Sequence, residues 1–182
     1  MALTKNNLLN INLLIEKLEL KQGDFVADLG CGVFGYFTFP IAKRVGKSGK
    51  VYAVDVLKDN LEAIKRRAKI DNLSQVETIW TDLEVFNATK IKNESLDVAL
   101  LVNVLYQSEK VEDILRESYR MLKKNGLLLV VEWNEIDSPF NLSQSLKVKK
   151  EDLLIIAEKI NFKKKEAFDA GGYHYGVLLK KQ

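Results

Sequence analysis

Three glycines within six positions, Gly30, Gly32 and Gly35, follow the apolar run Phe25–Leu29, in which Asp28 is the one carboxylate. The run reads as a buried strand, and the glycines as the turn that carries it into a helix. Glycine at such a turn permits positive φ and lets a ligand approach the backbone with no Cβ in the way. The spacing Gly30-x-Gly32-x-x-Gly35 matches the dinucleotide-binding fingerprint. Asp28, two residues before the first glycine, argues against that ligand. A dinucleotide sets its pyrophosphate on this turn. A carboxylate beside it would repel it by roughly several kcal/mol where water is excluded. The chemistry that Asp28 favours is the holding of a cation.

Further strand ends carry candidates of the same kind. Residues 51–55 are apolar and end in Asp55, 25 positions after Gly30. That is near the separation expected of an acid that holds ribose hydroxyls; the alternative is an N-cap for a helix starting near Leu57. Residues 76–81 read as a third strand, followed by Asp82 and Leu83. An ordinary loop acid is the other reading of Asp82, and Trp80 reads as core or cleft wall. Leu96–Val102 is apolar but for Asp97, as suits the centre of a sheet covered on both faces. It ends at Asn103-Val104-Leu105-Tyr106-Gln107.

On these residues the chain resembles the class I S-adenosylmethionine-dependent methyltransferases, especially the small enzymes of quinone-biosynthesis type, over roughly residues 20–180. Their cofactor has no phosphate and carries an ammonium and a sulfonium, so an acid at the strand tip attracts it. The family pattern acid-x-Gly-x-Gly-x-Gly would put its third glycine at Phe34; here it arrives one residue later, at Gly35. The resemblance implies S-adenosylmethionine as cofactor and S-adenosylhomocysteine as product. It implies cofactor contacts from Asp28, Gly30, Cys31, Gly32, Gly35, Asp55, Val56, Asp82, Leu83 and Asn103. Asp82 would accept from the adenine amino group, and Leu83 would offer a backbone N–H and an apolar wall. Asn103 and Tyr106 would lie nearest the transferring methyl, with Trp133 or Asn134 at the neighbouring strand tip. Residues 103–107 lack both prolines of the Asn-Pro-Pro-Tyr type found in amino-methylating enzymes of nucleic acids.

The remaining periodicities supply the scaffold. Leu8, Ile11, Ile15 and Leu18 predict a helix over residues 5–18 with Thr4 as N-cap, either a lid on the cleft or a helix packed permanently on the domain. Phe37, Ile41 and Val45 mark a second helix, with Pro40 near its start, where a missing N–H costs least. Leu57, Leu61, Ile64 and Ala68 mark a third. Val111 to Leu122 give a fourth, capped by Ser108 and stopped by Asn125-Gly126, before a fifth strand at 127–133. Residues 134–147 are irregular and would lie over the strand ends, where an acceptor pocket belongs. Leu153, Ile156, Ala157 and Ile160 give the last helix. Strands at 162–169 and 173–180 are separated only by Ala170-Gly171-Gly172, too short for anything but an antiparallel hairpin. The expected fold is α/β: a Rossmann-like, doubly wound, seven-stranded sheet, mostly parallel, with a C-terminal antiparallel hairpin strand. It forms a single domain over residues 1–182, with the N-terminal helix in residues 1–20.

Composition narrows the function classes. With 182 residues, 47% hydrophobic and 29% charged, the chain fits one globular domain. Its longest apolar runs are strand-length, far short of the roughly 18 residues of a membrane helix. Asn6, Asn7, Asn10 and Asn12 interrupt the N-terminal apolar residues, so no signal peptide is read there, and the cytoplasm is the expected location. The single cysteine, Cys31, leaves no internal disulfide, and no metal-ligand spacing or Ser-His-Asp set is visible. The net charge of +3 is too mild to imply nucleic acid, although lysines gather between Lys147 and Lys165. The only histidine, His174, reads as a strand residue between Tyr173 and Tyr175, a catalytic base being the other reading. The expected function is methyl transfer from S-adenosylmethionine to a small molecule, by positioning and without a dedicated base. The alternatives are an RNA or protein methyltransferase using the C-terminal lysines, and a non-catalytic S-adenosylmethionine-binding protein.

Overall fold

Seven strands join one sheet in the order β3-β2-β1-β4-β5-β7-β6. They are β1 Phe25–Leu29, β2 Lys50–Asp55, β3 Val76–Trp80, β4 Leu96–Val102, β5 Leu122–Trp133, β6 Phe162–Gly171 and β7 His174–Lys181. The computed structural model describes residues 9–134 and 148–182. β1 pairs in parallel with β2 and β4, β2 with β3, and β4 with β5. β7 runs antiparallel to both β5 and β6. The turn between β6 and β7 is only Gly172–Tyr173, so the chain must reverse there rather than cross over.

Alternate residues of the central strands feed two apolar layers. Val26, Val98 and Leu100 face α1 Ile11–Lys17, α2 Thr38–Val45 and α3 Lys58–Ile70. Ala27, Leu29, Ala99 and Leu101 face α4 Val111–Met121 and α5 Lys150–Lys159. Both faces being covered, β4 carries no exposed residue, which explains its unbroken apolar run from Val98 to Val102; Asp97, near its start, is half-buried and accepts the Phe25 N–H. The order of strands reverses between β1 and β4, and in open sheets of this kind ligands bind beyond the strand ends at that switch point.

Several boundaries differ from the periodicity. Among the described residues the first helix begins at Ile11, because Asn10 accepts the Leu13 N–H on its side chain at 3.1 Å. Thr4 and Leu8 lie outside the described residues, as do residues 135–147 with Pro139 and Phe140. Leu14, Ile15 and Leu18 are buried, and Lys17 pairs with Glu166 of β6, so α1 is docked on the sheet. The fourth helix is capped at Lys110 instead of Ser108, whose hydroxyl accepts the Lys110 N–H and donates to Glu84. Asn125-Gly126 does not stop that helix: β5 has already begun at Leu122, and Asn125, at φ 66°, sits in an irregularity within the strand. Trp80 is neither core nor cleft wall. It lies exposed under the Lys58 ammonium and donates to the Val56 carbonyl.

Candidate active site

The ends of β1, β2 and β4 and the residues just after β3 enclose a cleft of about 760 Å³. The glycine loop is tied to the neighbouring strand: Gly30 and Cys31 both donate to the Val54 carbonyl, at 2.8 and 3.0 Å. Asp55 then fastens the loop from the side. Its carboxylate accepts from Gly32 N at 2.9 Å, from Leu57 N at 2.9 Å and from the Asn60 amide at 3.2 Å. The helix that follows is capped at Leu57 instead of Asp55, whose carboxylate holds the Leu57 N–H one residue ahead of it. Of about four acceptor positions on a carboxylate, roughly one remains for a ligand.

Asp28 lies at the cleft floor, 3% exposed, and accepts a 2.6 Å hydrogen bond from the Thr38 hydroxyl. Burial pushes its carboxyl up to about 6, and the charge on Asp55 adds to the effect against the Thr38 bonds. A carboxyl with a raised folded-state value favours the fold below its unfolded value near 4. That contribution is lost as pH rises through about 6. Asp28→Asn should therefore stabilise the ligand-free protein at pH 8 by about 1–3 kcal/mol, the scale of such a shift. It should add almost nothing at pH 4. Urea unfolding at both pH values reads this directly, and an equal effect at the two would contradict it.

Asn103 closes β4 in the left-handed region, φ 57°, and lines the cleft. Its Oδ1 is buried with no hydrogen-bond partner, while its carbonyl accepts from the Gln107 amide at 2.8 Å. Val104 packs onto Gly30 so closely that a Cβ there would stand 2.5 Å from Val104 Cγ2. Val56, Asp82 and Leu83 also line the cleft, Asp82 accepting the Glu84 N–H at 2.9 Å. Cys31 lines it too, its thiol pushed up by burial and by Asp28 and Asp55, which keeps it from acting as a thiolate.

Gly35, Tyr106 and, at the neighbouring strand tip, Trp133 and Asn134 are not brought to the cleft. Gly35 lies behind the loop, against Ile64 and Phe39, and its part is close packing. Tyr106 lies on the short 3-10 turn Leu105–Gln107 without lining the cleft; burial, then Glu132, raises its hydroxyl. His174 is buried in β7 with its ring 4.0 Å from that of Trp133, and neither lines the cleft. Asn134 donates its N–H to the Tyr173 carbonyl. Phe34, at the family's glycine position, turns outward, 60% exposed and 5.3 Å from the Tyr36 ring. Thr38, Asn60 and Gln107 complete the site without any signal in spacing, since each acts through a partner remote in sequence or on a helical turn.

The charge of the cleft is one-sided. Asp28, Asp55, Asp82 and Glu84 line it, and among the described residues no lysine or arginine does. Its mouth is apolar, with Val33, Phe34, Tyr36, Val56 and Leu57 all exposed there.

Residues 27–130, which include Asp28, Asp55, Asp82 and Asn103, match the family described as methyltransferase domain. The chain belongs to that family. This methyltransferase domain is 30% identical over 125 residues to the demethylmenaquinone methyltransferase of Lactobacillus johnsonii, covering 68% of this chain and 50% of that protein. It is 31% identical over 120 residues to the (S)-coclaurine N-methyltransferase of Thalictrum flavum, 66% of this chain and 32% of that one. The domain thus spans half or less of the length of these two relatives. Its fold is that of an S-adenosylmethionine-dependent methyltransferase from Aquifex aeolicus, with a TM-score of 0.86 at 20% identity over 100% of this chain and 94% of the other.

Proposed function

We propose that this protein is an S-adenosylmethionine-dependent methyltransferase whose acceptor is a small molecule. The observation that carries the reading is the cleft of acceptors at the switch point, four acids with no lysine or arginine among the described lining residues. Buried Asp28 and the orphaned Oδ1 of Asn103 fit an ammonium, which brings donors and a compensating charge. They do not fit a pyrophosphate. Asp55, with its remaining acceptor position, would take a ribose hydroxyl, and Asp82 and Leu83 would bound the adenine.

S-adenosylmethionine, when bound, supplies a methyl group already activated on a sulfonium for in-line displacement. What is left to the chain is to orient and to exclude water, which can supply about 7–11 kcal/mol. Asn103 and Val104 form the wall next to the glycine loop, and the apolar mouth sheds water and suits an acceptor with an apolar face. Among the described residues that line the cleft, the raised carboxyl of Asp28 is held on the floor by Thr38 and taken up by the cofactor's ammonium, and the Cys31 thiol is pushed up; Tyr106, also pushed up, stands outside. An acceptor proton would leave to solvent or within the acceptor itself. The absence of a long apolar helix among the described residues accords with a cytoplasmic location.

Methyl-labelled cofactor incubated with a metabolite extract, total RNA and denatured protein tests the acceptor class. Label is expected in the small-molecule fraction. Label confined to RNA or protein would contradict the reading.

A further inference from the structure

β5 is apolar from Leu127 to Val131 and then places a carboxylate, Glu132, at full burial, 0% exposed. Unpaired, such a group would be costly there. Its partner is the point where β4 leaves the sheet. Asn103 N still donates to the Val131 carbonyl at 2.9 Å, as a strand residue would. The chain then turns through the left-handed φ of Asn103, and the next two amides lose the ladder. Both donate to Glu132 Oε1, Val104 N at 2.8 Å and Leu105 N at 2.6 Å. Hydrogen bonds to a charged acceptor are roughly twice as strong as neutral ones.

The held turn is the wall of the cleft. Val104 is the residue pressed on Gly30, where not even a Cβ would fit, and Asn103 carries the orphaned Oδ1. We propose that Glu132 is a positioning residue that clamps the turn after β4 against the glycine loop and thereby sets the Asn103 side of the cofactor cleft. The proposal rests on the reading of the cleft as an S-adenosylmethionine site.

The clamp is charge-dependent. Glu132 Oε2 is buried with no hydrogen-bond partner among the described residues. Burial pushes the carboxyl up to about 7, against the pull of the Leu105 and Val104 amides. The titratable groups facing it are Tyr106 on the turn and Tyr175, its register partner on β7, with Glu151 and Asp152 of α5 beyond Tyr175. A carboxyl with a raised value is neutral below it and charged above it. The grip on Val104 and Leu105 therefore tightens as pH rises through about 7.

The native protein gives the first readout. In NMR spectra, the amide signals of Val104 and Leu105 should titrate together with a midpoint near pH 7. Affinity for S-adenosylhomocysteine should rise over the same range. Glu132→Gln keeps the shape and removes the charge. It should bind S-adenosylhomocysteine about tenfold more weakly at pH 8, the scale of a charge-assisted bond. It should also lose the step near pH 7 while keeping a lower step from Asp28. Amide signals that stay flat from pH 6 to 8 in the native protein would overturn the proposal, whether or not the variant folds. So would native affinity with an unchanged pH profile in Glu132→Gln. If the amides titrate but the native protein binds no S-adenosylhomocysteine, the clamp stands and the assignment of the ligand falls.

Discussion

Replacing Gly35 by alanine should lower the melting temperature by roughly 4–20 °C, while the same change at Gly32 should lower it by roughly 2–8 °C. Both residues have left-handed backbones, φ 55° and 62°, which cost an alanine about 1–2 kcal/mol. They differ in what a Cβ would meet. At Gly32 there is nothing within 4 Å. At Gly35 a Cβ would lie 2.6 Å from Ile64 Cδ1 and 2.7 Å from Phe39 Cε2. Both neighbours are buried in the layer under α2 and α3, so neither can swing into solvent. Overpacking of that kind adds about 1–3 kcal/mol, and a domain of this size loses about 2–4 °C per kcal/mol. Calorimetric melting of the two variants decides it. Equal losses would mean that Gly35 is there for the turn alone and that the loop does not need its close seat on the helices.

That contrast also marks how far the sequence could be read. Apolar strands ending in Asp28, Asp55 and Asn103 were legible because buried parallel strands leave unbroken apolar runs. The reversed β7 was legible because two turn residues cannot cross a sheet. Gly35 looked like a ligand contact because spacing shows that a glycine is needed and not which side needs it. Tyr106 and Trp80 failed for a related reason. The face presented by a residue on a one-turn 3-10 helix or at a strand tip is set by neighbours such as Glu132 and Lys58, not by periodicity. The start of β5 was hidden by Asn125-Gly126, which reads as a helix stop and is in fact an irregularity in the strand. Glu132 was invisible for a simpler reason. A single acid within an apolar strand gives no hint that its partners are the amides of residues 104 and 105.

A cleft lined by Asp28, Asp55, Asp82 and Glu84 should select an ammonium over a pyrophosphate. Isothermal titration of the purified protein at pH 8 with S-adenosylhomocysteine and, separately, with NAD measures it most directly. At that pH Asp28 is ionised, its value lying at about 6, and Asp55, Asp82 and Glu84 line the same cleft. Each unit charge of a pyrophosphate about 4 Å from a carboxylate would cost about 1–4 kcal/mol between bulk water and a protein surface. The ammonium of S-adenosylhomocysteine gains on the same scale. With two charges repelled and one ammonium attracted, the difference is at least about 3 kcal/mol and predicts a preference of at least about 100-fold, since about 1.4 kcal/mol is a factor of ten. The expected result is saturable binding of S-adenosylhomocysteine and no measurable heat from NAD at millimolar concentration. Binding of NAD as tight as that of S-adenosylhomocysteine would contradict the account.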